Sequence, residues 1–165
     1  MFTLARTDGY TISTDPARLD LDLVHGWLSR DAYWALGRDR ETVTRAFAGS
    51  LGFGVYRPAD GRQVGVARVV TDRATFGYLC DVYVDRAERG RGLGTWLAGA
   101  VRDHLAELGV RRILLATNDA HGVYAKVGFG AVPADRCMEL DRREPAVSPL
   151  TSKDRQPGTP LTVEP

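Results

Sequence analysis

Cysteine and histidine are both scarce in this 165-residue sequence. Cys80 and Cys137 are the only two cysteines, so neither a disulfide framework nor a four-cysteine zinc site can be built. The three histidines are scattered, and no HExxH pattern occurs. The sequence therefore predicts no metal cofactor.

An excess of one charge sign is also missing. Twenty-two lysines and arginines stand against 21 aspartates and glutamates, which gives a formal net charge of +1. This balance provides no long-range attraction for nucleic acid or for an anionic membrane. No stretch approaches about 18 consecutive apolar residues, and the start of the chain lacks the apolar core of a signal peptide. We therefore expect a cytoplasmic protein that binds neither nucleic acid nor membranes.

The composition is that of an ordinary globular chain, with 44% hydrophobic and 26% charged residues. Five of the eight prolines fall in residues 144–165, which hold few large aliphatic side chains. Proline at this density blocks helices and sheets, and so little apolar surface cannot offset the entropy of ordering. The sequence predicts one domain over residues 1–143 and a proline-rich, flexible tail over residues 144–165.

Apolar patterning within the predicted domain switches between the strand and the helix periods. Helical spacing predicts helices near residues 21–28, after a cap at Asp39, over 92–108 and over 120–126. Runs of β-branched and aromatic residues predict strands over 10–14, 53–57, 63–70, 76–84, 113–117 and 138–140. Strands that come in a run and then alternate with helices indicate an α+β fold, antiparallel early and parallel in the middle.

A glycine-rich turn lies between the strand that ends at Val84 and the long helix. It reads Arg89-Gly90-Arg91-Gly92-Leu93-Gly94-Thr95. A helix start leaves backbone N–H groups without partners and carries partial positive charge, and glycines let a ligand approach those amides. Arginines add full charges for a diphosphate group. The turn is therefore a candidate phosphate site, although such a turn can also be a plain connection between two elements.

Two other phosphate loops do not fit this turn. A Walker loop needs Gly-Lys followed by Ser or Thr, and the chain has no Gly-Lys pair. A dinucleotide fingerprint would need glycine or alanine where Thr95 or Leu97 stands. A nucleotide-phosphate enzyme is therefore the weaker interpretation.

The turn resembles instead the acyl-CoA loop of the GNAT superfamily of N-acetyltransferases. That loop has Arg or Gln, two residues, Gly, one residue, then Gly or Ala. A second family pattern, A-x-x-x-Y-x-x-x-G-F, follows about 30 residues later in the family's order. The residues that match the two patterns are Arg89, Gly92, Gly94, Ala120, Tyr124, Gly128 and Phe129. The resemblance spans roughly residues 8–141.

The resemblance implies an α/β fold, α+β in some schemes: a central mixed sheet with splayed parallel strands, flanked by helices. It implies acetyl-CoA as co-substrate, in the opening between the strands at 76–84 and 113–117. The implied contacts come from Val82, Tyr83, Val84, Arg89, Gly90, Arg91, Gly92, Leu93, Gly94 and Thr95. Asn118 is a further candidate, although the family's asparagine stands three residues before the alanine and Asn118 only two.

The resemblance also implies direct attack of an amine on the thioester in a ternary complex. This reaction needs a neutral amine, a polarised carbonyl and a proton for the departing thiolate. Tyr124 matches the family's general acid, with a packing role as the alternative, and the N–H of Val82 would polarise the carbonyl. Asp81 is the expected base because no glutamate occurs nearby on its strand. Asp81 could instead bind the substrate ammonium or pair with an arginine, and a water chain could take the proton.

The acceptor is expected to be a small-molecule or peptide amine. Tyr33 and Trp34 fall where the family builds its acceptor pocket and could stack on a cationic amine, with core packing as the alternative for Trp34. His121, one turn before Tyr124, is a further candidate for substrate contact. Homodimers are common among relatives, but the sequence specifies no interface. A GNAT-fold domain that binds acyl-CoA without catalysis is the rival interpretation.

Overall fold

The computed structural model describes residues 1–142. These residues belong to two compact units, Met1–Gly130 and a second unit that begins at Ala131. The predicted tail over residues 144–165 lies outside the described residues.

Four helices lie in the first unit: α1 (Leu21–Arg30), α2 (Arg40–Ala48), α3 (Leu93–Glu107) and α4 (His121–Ala125). Aspartate caps begin α1 and α2, because Asp20 accepts from the amides of Asp22 and Leu23, and Asp39 from that of Thr42. Gly109 ends α3 with a φ of 86°, a conformation that favours glycine. Within residues 1–142, no helix combines the length and the apolar character that crossing a membrane requires.

In the described part of the chain, six strands form one mixed sheet in chain order: β1 (Thr3–Ala5), β2 (Thr11–Ser13), β3 (Leu51–Tyr56), β4 (Gln63–Thr71), β5 (Gly77–Val84) and β6 (Ile113–Leu114). Neighbours are antiparallel except β5 and β6, which are parallel. The β5–β6 pairing ends at Tyr78 and Leu114, while β5 continues to Val84. The two parallel strands therefore diverge and leave an opening beside the carboxyl end of β5.

A β-bulge interrupts β5 where the opening begins. Two residues of β5, Asp81 and Val82, face the single residue Ala67 of β4. Asp81 has a φ of 50°, in the left-handed region that aspartate tolerates better than most residues. The extra residue leaves the ladder and shifts the alternation of side chains over the rest of β5.

Helices cover both faces of the sheet. On one face, α3 contributes Leu97, Val101 and Leu105 to a core that includes Phe53 and Leu79 of the sheet. On the other face, α1 and α2 form a second core with β4 and β5; its members include Val24, Leu28, Val43, Phe47, Val66 and Tyr83. This arrangement holds β5, the strand beside the opening, between two packed layers.

The predicted strand over residues 138–140 is wrong. Those residues form neither helix nor strand, and the side chains of Met138 and Leu140 are exposed. An alternation of only three residues creates a strand only where a neighbouring strand buries its apolar face. Within the described part of the second unit, the regular element is a short 3-10 helix at Ala134–Arg136.

Candidate active site

The opening beside β5 holds a cavity of about 440 Å³. Four segments line it: the carboxyl end of β5, the glycine-rich turn with the start of α3, the start of α4, and the segment that follows α1. The elements that carry both sequence patterns therefore meet at one place.

The start of α3 leaves backbone amides without a side-chain cap. Its N-cap residue is Gly92, and no side chain caps this end, whereas α1 and α2 have aspartate caps. The N–H groups of Leu93, Gly94 and Thr95 therefore lack the acceptor that the other two helices have. Because the helix dipole adds partial positive charge there, this turn can bind an anionic diphosphate.

Backbone geometry explains some glycines of the turn and leaves one unexplained. Gly90 and Gly92 have φ angles of 81° and 73°, which favour glycine whatever lies nearby. Gly94 lies inside α3, and a Cβ atom there would meet only Val84 Cγ2, at 4.0 Å. Neither backbone nor packing requires glycine at this cavity-lining position. Close approach of a ligand supplies a physical reason for it.

The two arginines of the turn are held differently. Arg89 lines the cavity, where its Nε donates to the Val84 carbonyl at 3.0 Å and its Nη2 lies 3.6 Å from Asp31 Oδ2. Arg91 is not a lining residue, and its Nε lies 3.3 Å from Glu88 Oε2. Their side chains are 52% and 60% exposed, so solvent, or a ligand that replaces it, can reach both.

The carboxyl end of β5 presents a strand edge to the cavity. Val82, Tyr83 and Val84 all line it. Among residues 1–142, no strand pairs with this end of β5 on the side from which β6 has diverged. Such an edge offers N–H and C=O groups to an extended ligand, and the amide-containing pantetheine arm of acetyl-CoA is of that kind.

Tyr124 contributes a hydroxyl group to the cavity that can act as a proton donor. It lies on α4, lines the cavity and packs edge-on against Phe129, with ring centroids 5.9 Å apart. Its hydroxyl makes no hydrogen bond within the described part of the chain. Burial, with the charge of Asp119 and the nearby Tyr33 as smaller causes, raises the pKa of Tyr124 to about 12. The hydroxyl therefore stays protonated at neutral pH and can donate to a ligand.

Two aromatic side chains of segment 31–38, which follows α1, form another wall. Tyr33 and Trp34 line the cavity with their rings at 90° and centroids 5.0 Å apart. Trp34 is 41% exposed, which argues against a core-packing role. The Tyr33 hydroxyl donates to Asp119 Oδ1 at 3.2 Å and accepts from the Asn118 amide at 3.4 Å. Segment 31–38 is thereby tied to the loop before α4.

Both ends of segment 31–38 are anchored. Asp31 accepts hydrogen bonds from Arg86 and from the Tyr83 hydroxyl, and these bonds lower the pKa of Asp31 to about 2. At the other end, Arg38 Nη1 donates to Asp81 Oδ1 at 2.9 Å. Since Tyr83 and Asp81 belong to β5, the aromatic residues are fixed over that strand.

Asp81 is buried, and two guanidinium groups hold its carboxylate. Arg38 binds Oδ1, and Arg68 Nε donates to Oδ2 at 2.7 Å. Asp81 does not line the cavity. Its role as the base stays a prediction, against which this geometry argues, because both oxygens are already bound to cations. The observed contacts instead match the alternative expectation from the sequence, in which Asp81 pairs with arginine.

A sequence profile described as "Acetyltransferase (GNAT) family" matches residues 21–129. The chain belongs to the GNAT acetyltransferase family. A predicted acetyltransferase from Gibberella zeae is 33% identical over 135 residues, 71% of this chain and 76% of that protein. The crystal structure of a predicted GNAT acetyltransferase from Xanthomonas campestris is 46% identical with a TM-score of 0.73, and the match covers 80% of this chain and 92% of that one.

More distant structures share the GNAT fold. A predicted acetyltransferase from Clostridium acetobutylicum, whose structure contains acetyl-CoA, has a TM-score of 0.62 and 18% identity over 81% of this chain and 95% of that one. The resemblance to GNAT proteins and the predicted mixed sheet with splayed parallel strands are thereby confirmed.

Most predicted site residues of this GNAT chain line one cavity. They are Tyr33, Trp34, Val82, Tyr83, Val84, Arg89, Gly90, Gly92, Leu93, Gly94, Thr95 and Tyr124. Asp81, Arg91, Asn118 and His121 do not line it. Asn118 contributes its backbone amide to Tyr33, and His121 is exposed at the start of α4. The predicted roles of these two side chains remain predictions.

Three carboxylates line the cavity that were not predicted: Asp31, Glu88 and Asp119. Glu88 is buried, and a hydrogen bond from the Tyr10 hydroxyl, together with arginines at 57 and 91, lowers its pKa. The position of Asp119 in the sequence could have identified it as a cavity residue, because it lies between a predicted strand and the helix of Tyr124. Asp31 had no such signal, since its partners Tyr83 and Arg86 are more than 50 residues away. Glu88 lies three residues before Arg91, but its burial depends on Tyr10 and Arg57, which are distant in sequence.

Proposed function

We propose that this GNAT protein is an N-acetyltransferase that moves the acetyl group of acetyl-CoA to a primary amine. The observation that carries the proposal is that the start of α3, which has no side-chain cap, and the hydroxyl of Tyr124, which makes no hydrogen bond within residues 1–142, meet in one cavity. The first can bind a diphosphate, and the second can supply a proton. A domain that only bound acyl-CoA would need the first and not the second.

The residues around the cavity fit the parts of acetyl-CoA. The diphosphate would lie on the amides of Leu93, Gly94 and Thr95, with Arg89 and Arg91 beside it. The pantetheine arm would run along the free edge of β5. The thioester would then lie near Val82 and Tyr124, both of which line the cavity.

The chain's own groups then serve the transfer. Acetyl-CoA supplies a thioester, which a neutral amine attacks directly, so that the C–N bond forms and the C–S bond breaks. The Val82 N–H would donate to the carbonyl oxygen as negative charge develops there. The Tyr124 hydroxyl would give its proton to the departing sulfur.

The proton of the amine leaves by a route other than Asp81. Of the three lining carboxylates, Asp31 and Glu88 are already bound by arginines. The third, Asp119, accepts the hydrogen bond of the Tyr33 hydroxyl, and we assign it no part in the proton transfer. The acceptor side is open to solvent at Tyr33 and Trp34, which are 46% and 41% exposed. We infer that water takes this proton, so turnover should follow the neutral fraction of the amine and rise with pH.

Acetyl transfer by the purified chain tests the proposal. Release of the CoA thiol is followed over a panel of primary amines, mass spectrometry identifies the acetylated product, and a reaction without amine serves as the control. Acetyl-CoA at about a hundredfold above its Kd should raise the melting midpoint by about 5–10 °C, since it binds the folded chain alone. ATP at the same concentration should not.

Two results would contradict the proposal in different ways. An unchanged melting midpoint in millimolar acetyl-CoA would refute binding at the start of α3. A normal shift without transfer to any amine would refute the enzyme and favour the acyl-CoA-binding domain.

A further inference from the structure

The acceptor side of the cavity has one carboxylate that no cation neutralises. Asp119 accepts the hydrogen bond of the Tyr33 hydroxyl, and within residues 1–142 it forms no ion pair. The other two lining carboxylates, Asp31 and Glu88, each lie within 4.0 Å of two arginines. Asp119 is also close enough to Tyr124 for its charge to contribute to the raised pKa of that hydroxyl. The carboxylate of Asp119 therefore lies near Tyr124, the predicted general acid, and pairs with no cation within residues 1–142.

No lining cation is free to receive a carboxylate. Arg89 is the one arginine or lysine that lines the cavity in the described part of the chain. Its guanidinium contacts the Val84 carbonyl and Asp31, and in the proposed function its remaining donors lie beside the diphosphate of acetyl-CoA. The α-carboxylate of an amino acid would therefore meet Asp119 without a matching positive charge, which is unfavourable.

Two exposed aromatic rings give the same side a surface for an apolar or cationic group. Tyr33 and Trp34 meet at right angles and so present a corner. A ring face attracts an ammonium within about 6 Å, and it also packs against aliphatic or aromatic carbons. The cavity of about 440 Å³ must hold the acetyl end of the cofactor as well, so little room is left inside it for the acceptor beyond its reacting amine and stem.

We propose that the acceptor is a small primary amine that is cationic in solution and carries no carboxylate. Its apolar stem lies against Tyr33 and Trp34, and Asp119 draws its ammonium form into the cavity. The amine then loses its proton to water and attacks as the neutral species. This inference rests on the proposed acetyl transfer and adds to it the class of acceptor.

Matched pairs that differ only by a carboxylate test the inference. Phenethylamine is compared with phenylalanine, and 1,5-diaminopentane with lysine, by thiol release and product mass. We expect kcat/KM to be at least about tenfold higher for the amine in each pair, because like charges next to each other are unfavourable. A peptide with one lysine and blocked termini tests a macromolecular acceptor, which we expect to react more slowly.

Asp119→Asn separates the charge from the shape of the site. Asparagine keeps an oxygen that can accept the Tyr33 hydrogen bond, so the wall should keep its form. We expect KM for the amines to rise about three- to fivefold, as for an exposed ion pair, while KM for acetyl-CoA stays unchanged. Added salt should raise the amine KM of the unmodified chain and not that of the variant. Asp103→Asn, an exposed carboxylate on α3 outside the cavity, should change neither.

The outcomes distinguish this inference from the proposed function. Equal or faster reaction of the amino acids, or preference for the blocked peptide, would overturn the acceptor class and leave acetyl transfer standing. An Asp119→Asn variant whose amine KM is unchanged would overturn the part assigned to Asp119. No product from any amine, despite a melting shift with acetyl-CoA, would refute the proposed function and this inference with it.

Discussion

Replacement of Asp81 by asparagine distinguishes a structural from a catalytic carboxylate. Asparagine has nearly the same shape and tolerates the left-handed φ of 50° at this position, so the variant removes charge without adding backbone strain. The change leaves Arg38 and Arg68 without their shared counter-ion. Their side chains are only 24% and 14% exposed, so water compensates them incompletely.

The expected effect is mainly on stability. Removal of one partner from a buried ion pair costs about 3–5 kcal/mol, and partial exposure of the two arginines lowers this to about 2–4 kcal/mol. At this chain length each kcal/mol shifts the melting midpoint by about 2–4 °C, so we expect a fall of about 4–16 °C. Because Arg38 anchors segment 31–38, KM for the amine should also rise, while kcat of the folded enzyme stays within about fivefold, well short of the loss that removal of a base produces.

Thermal melting and kinetics over pH 6–10 measure both effects on the same variant. Asp22→Asn, an exposed carboxylate paired with Arg40, is the control for a surface ion pair and should shift the midpoint by little. The structural reasoning would be refuted by an Asp81→Asn variant that melts normally and loses about a hundredfold or more in kcat, with rescue at high pH. That pattern would identify Asp81 as the base.

Three further predictions concern other parts of the chain. Gly94→Ala should reduce the acetyl-CoA melting shift without lowering the melting midpoint of the free protein, since a Cβ there meets only one atom at 4.0 Å; Gly99→Ala on the same helix is the matched control and should bind normally. Because the pKa of Glu88 is lowered in the folded chain, its ionised carboxylate stabilises the fold at any pH above the ordinary pKa of glutamate. This stabilisation is lost as the pH falls through the lowered pKa. Tyr10→Phe should therefore lower the melting midpoint at pH 7, and its difference from the unmodified chain should shrink below about pH 4; a constant difference would contradict this. Deletion of residues 144–165 should leave the midpoint unchanged, and a loss of several degrees would show that they contribute to folding.

The turn at α3 and Tyr124 were predictable because local sequence defines each of them. Glycines at fixed spacing after a strand and before an amphipathic helix specify a turn with accessible amides. Tyr124 lies on α4, and the chain turns back after the helix at Gly128, so that the ring of Phe129 packs against that of Tyr124. The residue pattern indicated an anion site at the turn, and the resemblance to the GNAT patterns implied that Tyr124 lies near it; both line the cavity.

The environment of Asp81 was not predictable in the same way. Its partners Arg68 and Arg38 are 13 and 43 residues away, and they meet only after β4, β5 and segment 31–38 have come together. The bulge that buries Asp81 depends on register against β4, which alternation along β5 alone does not reveal. The absence of a glutamate on the strand favours Asp81 as the base, while the sequence does not show which arginines would pair with it.

Single-turnover acetyl transfer by Tyr124→Phe tests the central claim most directly. The hydroxyl has no hydrogen-bond partner within residues 1–142, so its removal should leave melting and acetyl-CoA affinity nearly unchanged. The account predicts a single-turnover rate about 10²–10⁴-fold lower, because the departing sulfur loses its proton donor. Tyr78→Phe, a partly exposed tyrosine outside the cavity, should keep the full rate. A Tyr124→Phe enzyme with an unchanged single-turnover rate would contradict the account and remove Tyr124 from the chemistry.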